Sequence, residues 1–182
     1  MNERQKKVGA FIRFLKKASK TDNRAVLADL RRGFSKATEK RAWRHLGAYC
    51  DLENERERVI FQTVADCYTT NPLNDADKKS NFGTSARQLK EKFSTIETTF
   101  QRLLNCRRPE DVCKRLQSIV LAMKAKGIAV NWKRLMRDLL YWNDRAKARW
   151  AAQFWPYGDF ADFEEAESAD ESDDETEDEG GE

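Results

Sequence analysis

The chain has 182 residues and a net charge of only +3, from thirty-four Lys and Arg against thirty-one Asp and Glu. The charge is unevenly divided, because residues 1–158 carry every cation with seventeen acids, and residues 159–182 carry fourteen acids and no cation. A body of charge +17 repels itself, and so large a surplus of cations differs from the evenly mixed surface of an ordinary soluble domain. The surplus indicates a polyanionic partner.

The composition also divides the chain into a domain and a tail. After Phe163 the chain is mainly Glu, Asp, Ser, Thr and Gly. Such a segment buries too little apolar surface to offset the entropy of ordering, so we predict a disordered acidic C-terminal tail over 159–182. The remaining 1–158 has the length of one domain with a sizeable core, and we predict a basic helical domain there.

In chain order, the first two predicted helices are marked by apolar spacing and by caps. Apolar residues from Val8 to Leu15 recur with the period of an amphipathic helix. Asp22 is expected to cap the second helix, and Gly33 to end it in a left-handed conformation.

The next elements are two helices, a loop and two more helices. Helices are predicted over 38–48, with Trp43 buried, and over 54–69. The Asn, Pro, Asp and Lys residues that follow, up to Asn81, predict a loop of about ten residues. A short helix near 85–92 comes next, and a capping box from Ser94 to Glu97 is expected to open another.

The last three predicted helices have the clearest boundaries. Pro109 suits the first turn of a helix that ends by Gly127. Asn131 is expected to cap the following helix, and the final helix covers about 144–155. No alternating run is long enough for a half-buried strand. We therefore predict an all-α fold, a compact bundle of about seven to nine helices.

Cysteine usage and the lack of targeting segments indicate a cytoplasmic protein. The four cysteines form no CxxC pair, so buried free thiols are expected rather than a disulfide or metal framework. The N-terminus lacks the apolar segment of a secretory signal, and no run reaches the eighteen or so apolar residues of a membrane span. We expect no membrane contact.

The residue patterns typical of enzymes are missing. The one histidine, His45, lies beside Trp43 and Leu46, where a structural role is favoured. The chain has no GxSxG, GxxxxGK[ST], GxGxxG or HExxH motif, and the carboxylates of the body are scattered. We therefore predict no enzymatic activity, no metal and no cofactor.

Clustered cations are the chemistry that the sequence does offer. Any single arginine is explained by its position on a solvent-exposed helix face. The surplus of seventeen positive charges, however, favours contacts with a nucleic-acid backbone. The candidate nucleic-acid-binding residues are Arg24, Arg31, Arg32, Lys78, Lys79, Arg87, Arg107, Arg108, Lys133, Arg134, Arg137 and Arg145.

Several segments together resemble a known family. They are 24–33 (RAVLADLRRG), 81–89 (NFGTSARQL), 100–104 (FQRLL) with Arg107 and Arg108, and 131–139 (NWKRLMRDL). In this order the segments resemble the CasB family, the small subunit of the type I-E CRISPR interference complex, Cascade. The chain departs from the family pattern in having Asn131 for Asp, Gln117 and Ser118 for frequent arginines, and the acidic tail.

The resemblance implies a function as well as a fold. It implies an all-helical, non-catalytic subunit that sits in paired copies beside the large and backbone subunits of Cascade. Its implied nucleic-acid partners are the CRISPR RNA and the target and displaced DNA strands, and its implied role is to stabilise the R-loop.

Two other functions remain open from the residues alone. One is a helical scaffold that binds an acidic protein and no nucleic acid, and the other is an unrecognised metal-dependent nuclease. The tail is expected to fold back over the basic face before assembly.

Overall fold

The computed structural model describes residues 3–75, 77–93 and 95–158. Within these ranges the elements are α1 (Glu3–Lys20), α2 (Arg24–Arg31), a 3₁₀ turn (Arg32–Phe34), α3 (Lys40–Leu46), α4 (Glu55–Thr70), α5 (Phe82–Lys90), α6 (Ile96–Leu104), α7 (Pro109–Ala125), α8 (Trp132–Leu140) and α9 (Asp144–Phe154). The predicted all-α fold is confirmed. The predicted tail, 159–182, lies outside the described residues, and the division of the chain at Gly158 stays a prediction.

Helix α4 is the centre of the bundle. Every residue from Ile60 to Thr69 is buried, because α4 packs against α1, α2, α7 and α8 on different sides. A helix surrounded on all sides needs apolar or small residues around its whole circumference rather than a single stripe. The other helices show one buried face each, as α7 does with Val112, Leu116 and Val120.

Helices α5 and α9 pack unusually closely at the start of α5. Asn81 caps α5 by accepting a hydrogen bond from the Gly83 amide at 2.7 Å, and its Nδ2 donates to the Arg149 carbonyl of α9 at 2.9 Å. The Phe82 and Trp150 rings lie 4.9 Å apart between centroids. Glycine at position 83 is required here, because a Cβ would overlap the Trp150 carbonyl oxygen and lie 2.9 Å from the carbonyl carbon.

Two predicted features of α2 are wrong. Asn23 caps the helix through the Val26 amide, because Asp22 has a φ of +46° and pairs with Arg24 instead. Gly33 does not adopt a left-handed conformation, since the chain continues into the 3₁₀ turn. Glycine at position 33 instead allows α3 to pack closely, because a Cβ there would lie 3.1 Å from the Ala42 Cβ of α3.

The start of α5 and of α6 also differ from expectation. The capping box of this region joins Asn81 and Thr84, so α5 begins three residues earlier than predicted. At α6 the N-cap residue is Thr95, whose side chain makes no capping hydrogen bond. Ser94, on which the predicted capping box depended, lies outside the described residues.

The predictions for cysteines and most tryptophans agree with the structure. All four cysteines are free and buried, and Trp142 and Trp150 belong to the core. Trp43 is only half-buried, with the Arg58 guanidinium 5.2 Å from its ring centroid, so its predicted burial is partly wrong. Among the described residues, no helix is long and apolar enough to cross a membrane.

One buried carboxyl makes the core sensitive to pH. Asp66 of α4 is 1 % exposed, and Gln117 of α7 donates a hydrogen bond to its Oδ2 at 2.9 Å. Burial raises the pKa of Asp66 to about 6, and the hydrogen bond from Gln117 and the charge of Arg31 offset only part of that rise. The ionised form is therefore costlier in the folded state than in the unfolded state, where the pKa is about 3.9.

We expect Asp66→Asn to stabilise the fold in a pH-dependent manner. Because the folded-state pKa is raised, the native protein loses stability as pH increases from about 4 to 6, and the amide removes that loss. The gain in free energy of unfolding should be about 2 kcal/mol larger at pH 8 than at pH 4, measured by urea denaturation. Glu91→Gln, at an exposed carboxylate, is the control, and an equal gain at both pH values would contradict the prediction.

Candidate nucleic-acid interface

A groove of about 550 Å³ lies between α1, the loop that follows α4 and the beginning of α8, and we call it the basic groove. Six of its lining residues are cations and one is an acid. The lining residues are Gly9, Ile12, Arg13, Lys16, Asn74, Asp75, Lys78, Asn131, Lys133, Arg134 and Arg137.

Helix α1 supplies one wall of the basic groove. Residues 9, 13 and 16 lie on one helix face because they are spaced by four and then three positions. The Arg13 guanidinium lies back along the helix over Gly9, where a Cβ would be 3.4 Å from Nη1, an ordinary contact distance. Ile12 also lines the groove and is buried, and α1 packs against α8.

The loop after α4 is held against the connector that precedes α8. Asn74 and Val130 form an isolated parallel β-bridge, in which the Asp75 amide donates to the Val130 carbonyl at 3.1 Å. The Trp132 indole N–H donates to the Leu73 carbonyl at 2.9 Å. These contacts bring Asp75 and Lys78 beside α8, although more than fifty residues of the chain separate this loop from α8.

Asn131 joins the two walls of the groove through one side chain. Its Oδ1 accepts a hydrogen bond from the Arg134 amide at 3.0 Å, which caps α8 as predicted. Its Nδ2 donates to the Asp77 carbonyl at 2.8 Å and to the Ser80 carbonyl at 3.2 Å. The start of α8 and the loop that carries Lys78 are therefore positioned together.

A buried carboxylate orients two arginines at the far side of α8. Asp138, 3 % exposed, accepts hydrogen bonds from Arg134 Nε at 3.2 Å and from Arg149 Nη2 at 3.1 Å. The Trp150 indole N–H donates to its second oxygen at 2.8 Å. Asp138 neutralises part of the charge of these two arginines and also holds their guanidinium groups in place.

The basic groove continues into a second depression of about 350 Å³. Arg134 and Arg137 line both, and Arg145 and Arg149 extend the cationic surface along α9, beside Tyr141 and Gln5. Together the two depressions form one basic strip. Within it, Arg13, Lys16 and Arg137 are exposed and make no ion pair with an acid of the described residues.

The structure gathers five of the predicted site residues in this strip. They are Lys78, Lys133, Arg134, Arg137 and Arg145. Arg13 and Lys16, which lie in the same strip, are not among the predicted site residues. The polar face of α1 was visible in the sequence, but its packing against α8 was not.

Arg107 and Arg108 lie in a different depression, about 840 Å³, at the corner between α6 and α7. Arg108 is the N-cap residue of α7 and lies 3.4 Å from Glu110, which raises the pKa of its guanidinium. Lys114 pairs with Asp111 at 3.1 Å. The acids in the first turn of α7 therefore offset part of the cationic charge expected here.

The other predicted site residues are dispersed. Arg24 is exposed and pairs with Asp22 at 3.0 Å, and Arg31 donates to the Thr69 carbonyl at 3.4 Å. Arg32 is exposed at the end of α2, and Lys79 is exposed in the loop that follows α4. Arg87 is half-buried on α5.

His45 has the structural role that its sequence context favours. Its Nε2 lies 3.0 Å from Asp29 Oδ2, which also pairs with Arg44, so α2 and α3 are joined there. Hydrogen bonds from His45 and Arg44 lower the pKa of Asp29. Among the residues that the structure describes, no group of three or more His, Cys, Asp or Glu could hold a metal ion.

The fold and the strip together define a class of protein, a small helical protein with a continuous cationic surface. The model of the CRISPR-associated protein Cse2 family matches residues 26–155, and the chain belongs to this family. Helix α1, which supplies Arg13 and Lys16, precedes the matched segment. No functionally curated sequence matches the chain.

Solved structures agree with this assignment. A Cse2-family protein from Thermus thermophilus is 22 % identical, with a TM-score of 0.68 over 81 % of this chain and 97 % of its own. CasB from M. ruber is 24 % identical, with a TM-score of 0.65 over 92 % and 98 %. A chain of a CRISPR RNA-guided surveillance complex is 19 % identical, with a TM-score of 0.67 over 91 % and 99 %. The resemblance to CasB is confirmed.

Proposed function

We propose that this chain is the non-catalytic small subunit of a type I-E CRISPR RNA-guided surveillance complex, Cascade, and that its basic strip holds nucleic-acid backbone. The observation that carries the proposal is the groove itself, where six cations face one acid across elements distant in sequence. Membership of the Cse2 family and the likeness to a surveillance-complex chain support it.

The chemistry of the strip favours backbone contacts over base recognition. Trp132, which flanks Lys133 in sequence, is fully buried and uses its indole N–H on Leu73, so it is not a stacking platform. Flexible lysines and arginines that face an open groove bind phosphates without a sequence code. The strip therefore fits a strand of any sequence.

Such binding would act on the R-loop through its energy balance. The guide RNA–target hybrid is about as stable as the DNA duplex that it replaces, so modest contacts tip the exchange. A cationic strip that holds the displaced or paired strand stabilises the open form without cutting it. In this proposal the partners are the CRISPR RNA, both DNA strands, the large and backbone subunits and a second copy of this chain.

Co-purification tests the assignment to the complex. A tagged full chain, expressed with the other subunits and a CRISPR array, is expected to recover CRISPR RNA and the backbone subunits together. Degrading the RNA with nuclease should release the partners, because the guide organises the assembly. If a protein partner instead remains bound after nuclease treatment and no RNA is recovered, the scaffold function is correct and the proposal is wrong.

A further inference from the structure

The basic strip lies within reach of the most acidic segment of the same chain. We propose that residues 159–182 dock in the basic groove and compete there with nucleic acid. The inference rests on the proposed function in that the groove is taken to bind a strand, but tail docking has its own measurement below.

The charge of the segment resembles that of a nucleic-acid strand. It has fourteen acids and no cation in twenty-four residues. At about 3.3 Å per residue for an extended chain, this places one negative charge roughly every 6 Å. The groove offers Arg13, Lys16 and Arg137 without acid partners among the described residues.

The geometry of α9 places the start of the segment near the strip. Arg149 lies in the strip, and α9 continues for five residues to Phe154, which is about 7 Å along the helix axis. The four residues to Gly158 add at most about 14 Å. The segment therefore starts within about 22 Å of Arg149.

The length of the segment is sufficient to cover the groove. Twenty-four residues have a root-mean-square span of about 27 Å as a random coil and a maximum of about 80 Å when extended. A domain of this size has a radius of gyration of about 15 Å. The strip is thus accessible to the segment from its point of attachment.

The groove fits this segment better than the corner between α6 and α7. At the corner, Arg108 lies 3.4 Å from Glu110 and Lys114 lies 3.1 Å from Asp111, so acids of the domain already face two of its cations. In the groove, Asp75 is the one acid of the lining, and one of the six cations, Arg134, is paired with Asp138 beneath it. An added polyanion is therefore attracted more strongly by the groove than by the corner.

Tethering makes even a weak contact an effective competitor. The segment is attached to the domain, so its effective concentration at the groove is on the order of 1 mM. If the free segment binds with a Kd of about 100 µM, it lowers the apparent affinity for a nucleic acid about tenfold. Salt weakens the effect because it screens both contacts.

Three full-length chains test the proposal. The first has the native sequence, the second has every Asp and Glu of 159–182 replaced by Asn and Gln, and the third has the order of residues 159–182 scrambled at constant charge. The probe is a fluorescent 20-nucleotide oligo(dT). We expect the neutral-tail chain to bind about tenfold more tightly at 50 mM salt and less than twofold more tightly at 300 mM, with the scrambled chain equal to the native chain. Equal affinity of the native and neutral-tail chains would overturn the proposal.

A second measurement involves no nucleic acid. A fluorescent peptide of residues 159–182 should bind the neutral-tail chain, and Arg13→Gln, Lys16→Gln and Arg137→Gln in that chain should weaken it at least fivefold. Absence of peptide binding, or binding that these substitutions leave unchanged, would overturn docking in the groove.

The two measurements also distinguish the failure of the inference from the failure of the proposed function. If oligo(dT) binds the neutral-tail chain with the same affinity before and after the three substitutions, the nucleic-acid role of the groove is wrong, whatever the peptide does. If the substitutions weaken oligo(dT) but not the peptide, the proposed function stands and tail docking in the groove is wrong.

Discussion

In a full-length chain whose acids in 159–182 are replaced by Asn and Gln, so that the tail cannot compete, Arg13→Gln, Lys16→Gln and Arg137→Gln are expected to weaken binding of single-stranded DNA roughly 30- to 100-fold at 100 mM salt. These residues line the groove from α1 and α8 and have no acid partner among the described residues, so the substitutions remove cationic charge without exposing a buried carboxylate. Arg134 is unsuitable for this test, because it is bonded to the buried Asp138.

The salt dependence of binding provides a second readout. Each lost phosphate contact lowers the slope of log K against log salt by about 0.7 on single strands, so the slope should become less steep by about 2. Fluorescence anisotropy with two oligonucleotides of different sequence measures both quantities. The loss should be equal for the two sequences, because backbone contacts do not depend on the base.

A matched control is available at exposed cations outside the basic groove. Lys36→Gln, Lys40→Gln and Arg41→Gln remove the same charge from positions before and within α3, none of which lines the groove. This chain is expected to lose less than threefold in affinity, through the general reduction of positive charge. If the two triple variants lose equal affinity, net charge rather than the groove determines binding.

Replacing Gly83 by alanine is expected to lower the free energy of unfolding by more than about 4 kcal/mol. The new Cβ would overlap the Trp150 carbonyl oxygen, and both groups belong to helix backbones, which cannot move independently. Helix α9 would have to shift, breaking the Asn81 hydrogen bond to the Arg149 carbonyl and the contact between Phe82 and Trp150.

Gly9→Ala is the matched control for this substitution. Gly9 is also helical, but a Cβ there meets only the Arg13 Nη1 at 3.4 Å, the end of a flexible side chain. Alanine is favoured over glycine inside a helix by about 1 kcal/mol, so this variant should be neutral or slightly stabilised. Urea denaturation monitored by circular dichroism measures the free energy of unfolding of both variants. Failure of the Gly83 variant to fold supports the packing argument, and stability within about 1 kcal/mol of the native chain contradicts it.

The structure matches the prediction from sequence where one local interaction determines the conformation. Asn131 was expected to cap α8 and Pro109 to begin α7, and both do so, because each acts on backbone groups within three or four residues. The predicted cap at Asp22 is wrong, because two capping residues are adjacent there and the backbone conformation of the turn selects Asn23.

A residue that serves a contact with a distant part of the chain is not predictable from its neighbours in sequence. Gly33 has the features of a helix-ending glycine, but its role is to admit Ala42 of α3. Gly83 gave no signal of its importance, since nothing near it in sequence indicates that Trp150 will lie against it.

The amino-acid sequence by itself determined that this protein is helical, that its cations and acids are separated along the chain, and that it resembles CasB. Those properties follow from spacing and composition, which are local. Only the tertiary structure decided which cations lie together, because the packing of α1 on α8 places Arg13 and Lys16 in one groove with Lys133 and Arg137. The reason is physical, since charges reinforce one another over the roughly 10 Å that salt leaves unscreened, and that separation is set by the fold rather than by position in the chain.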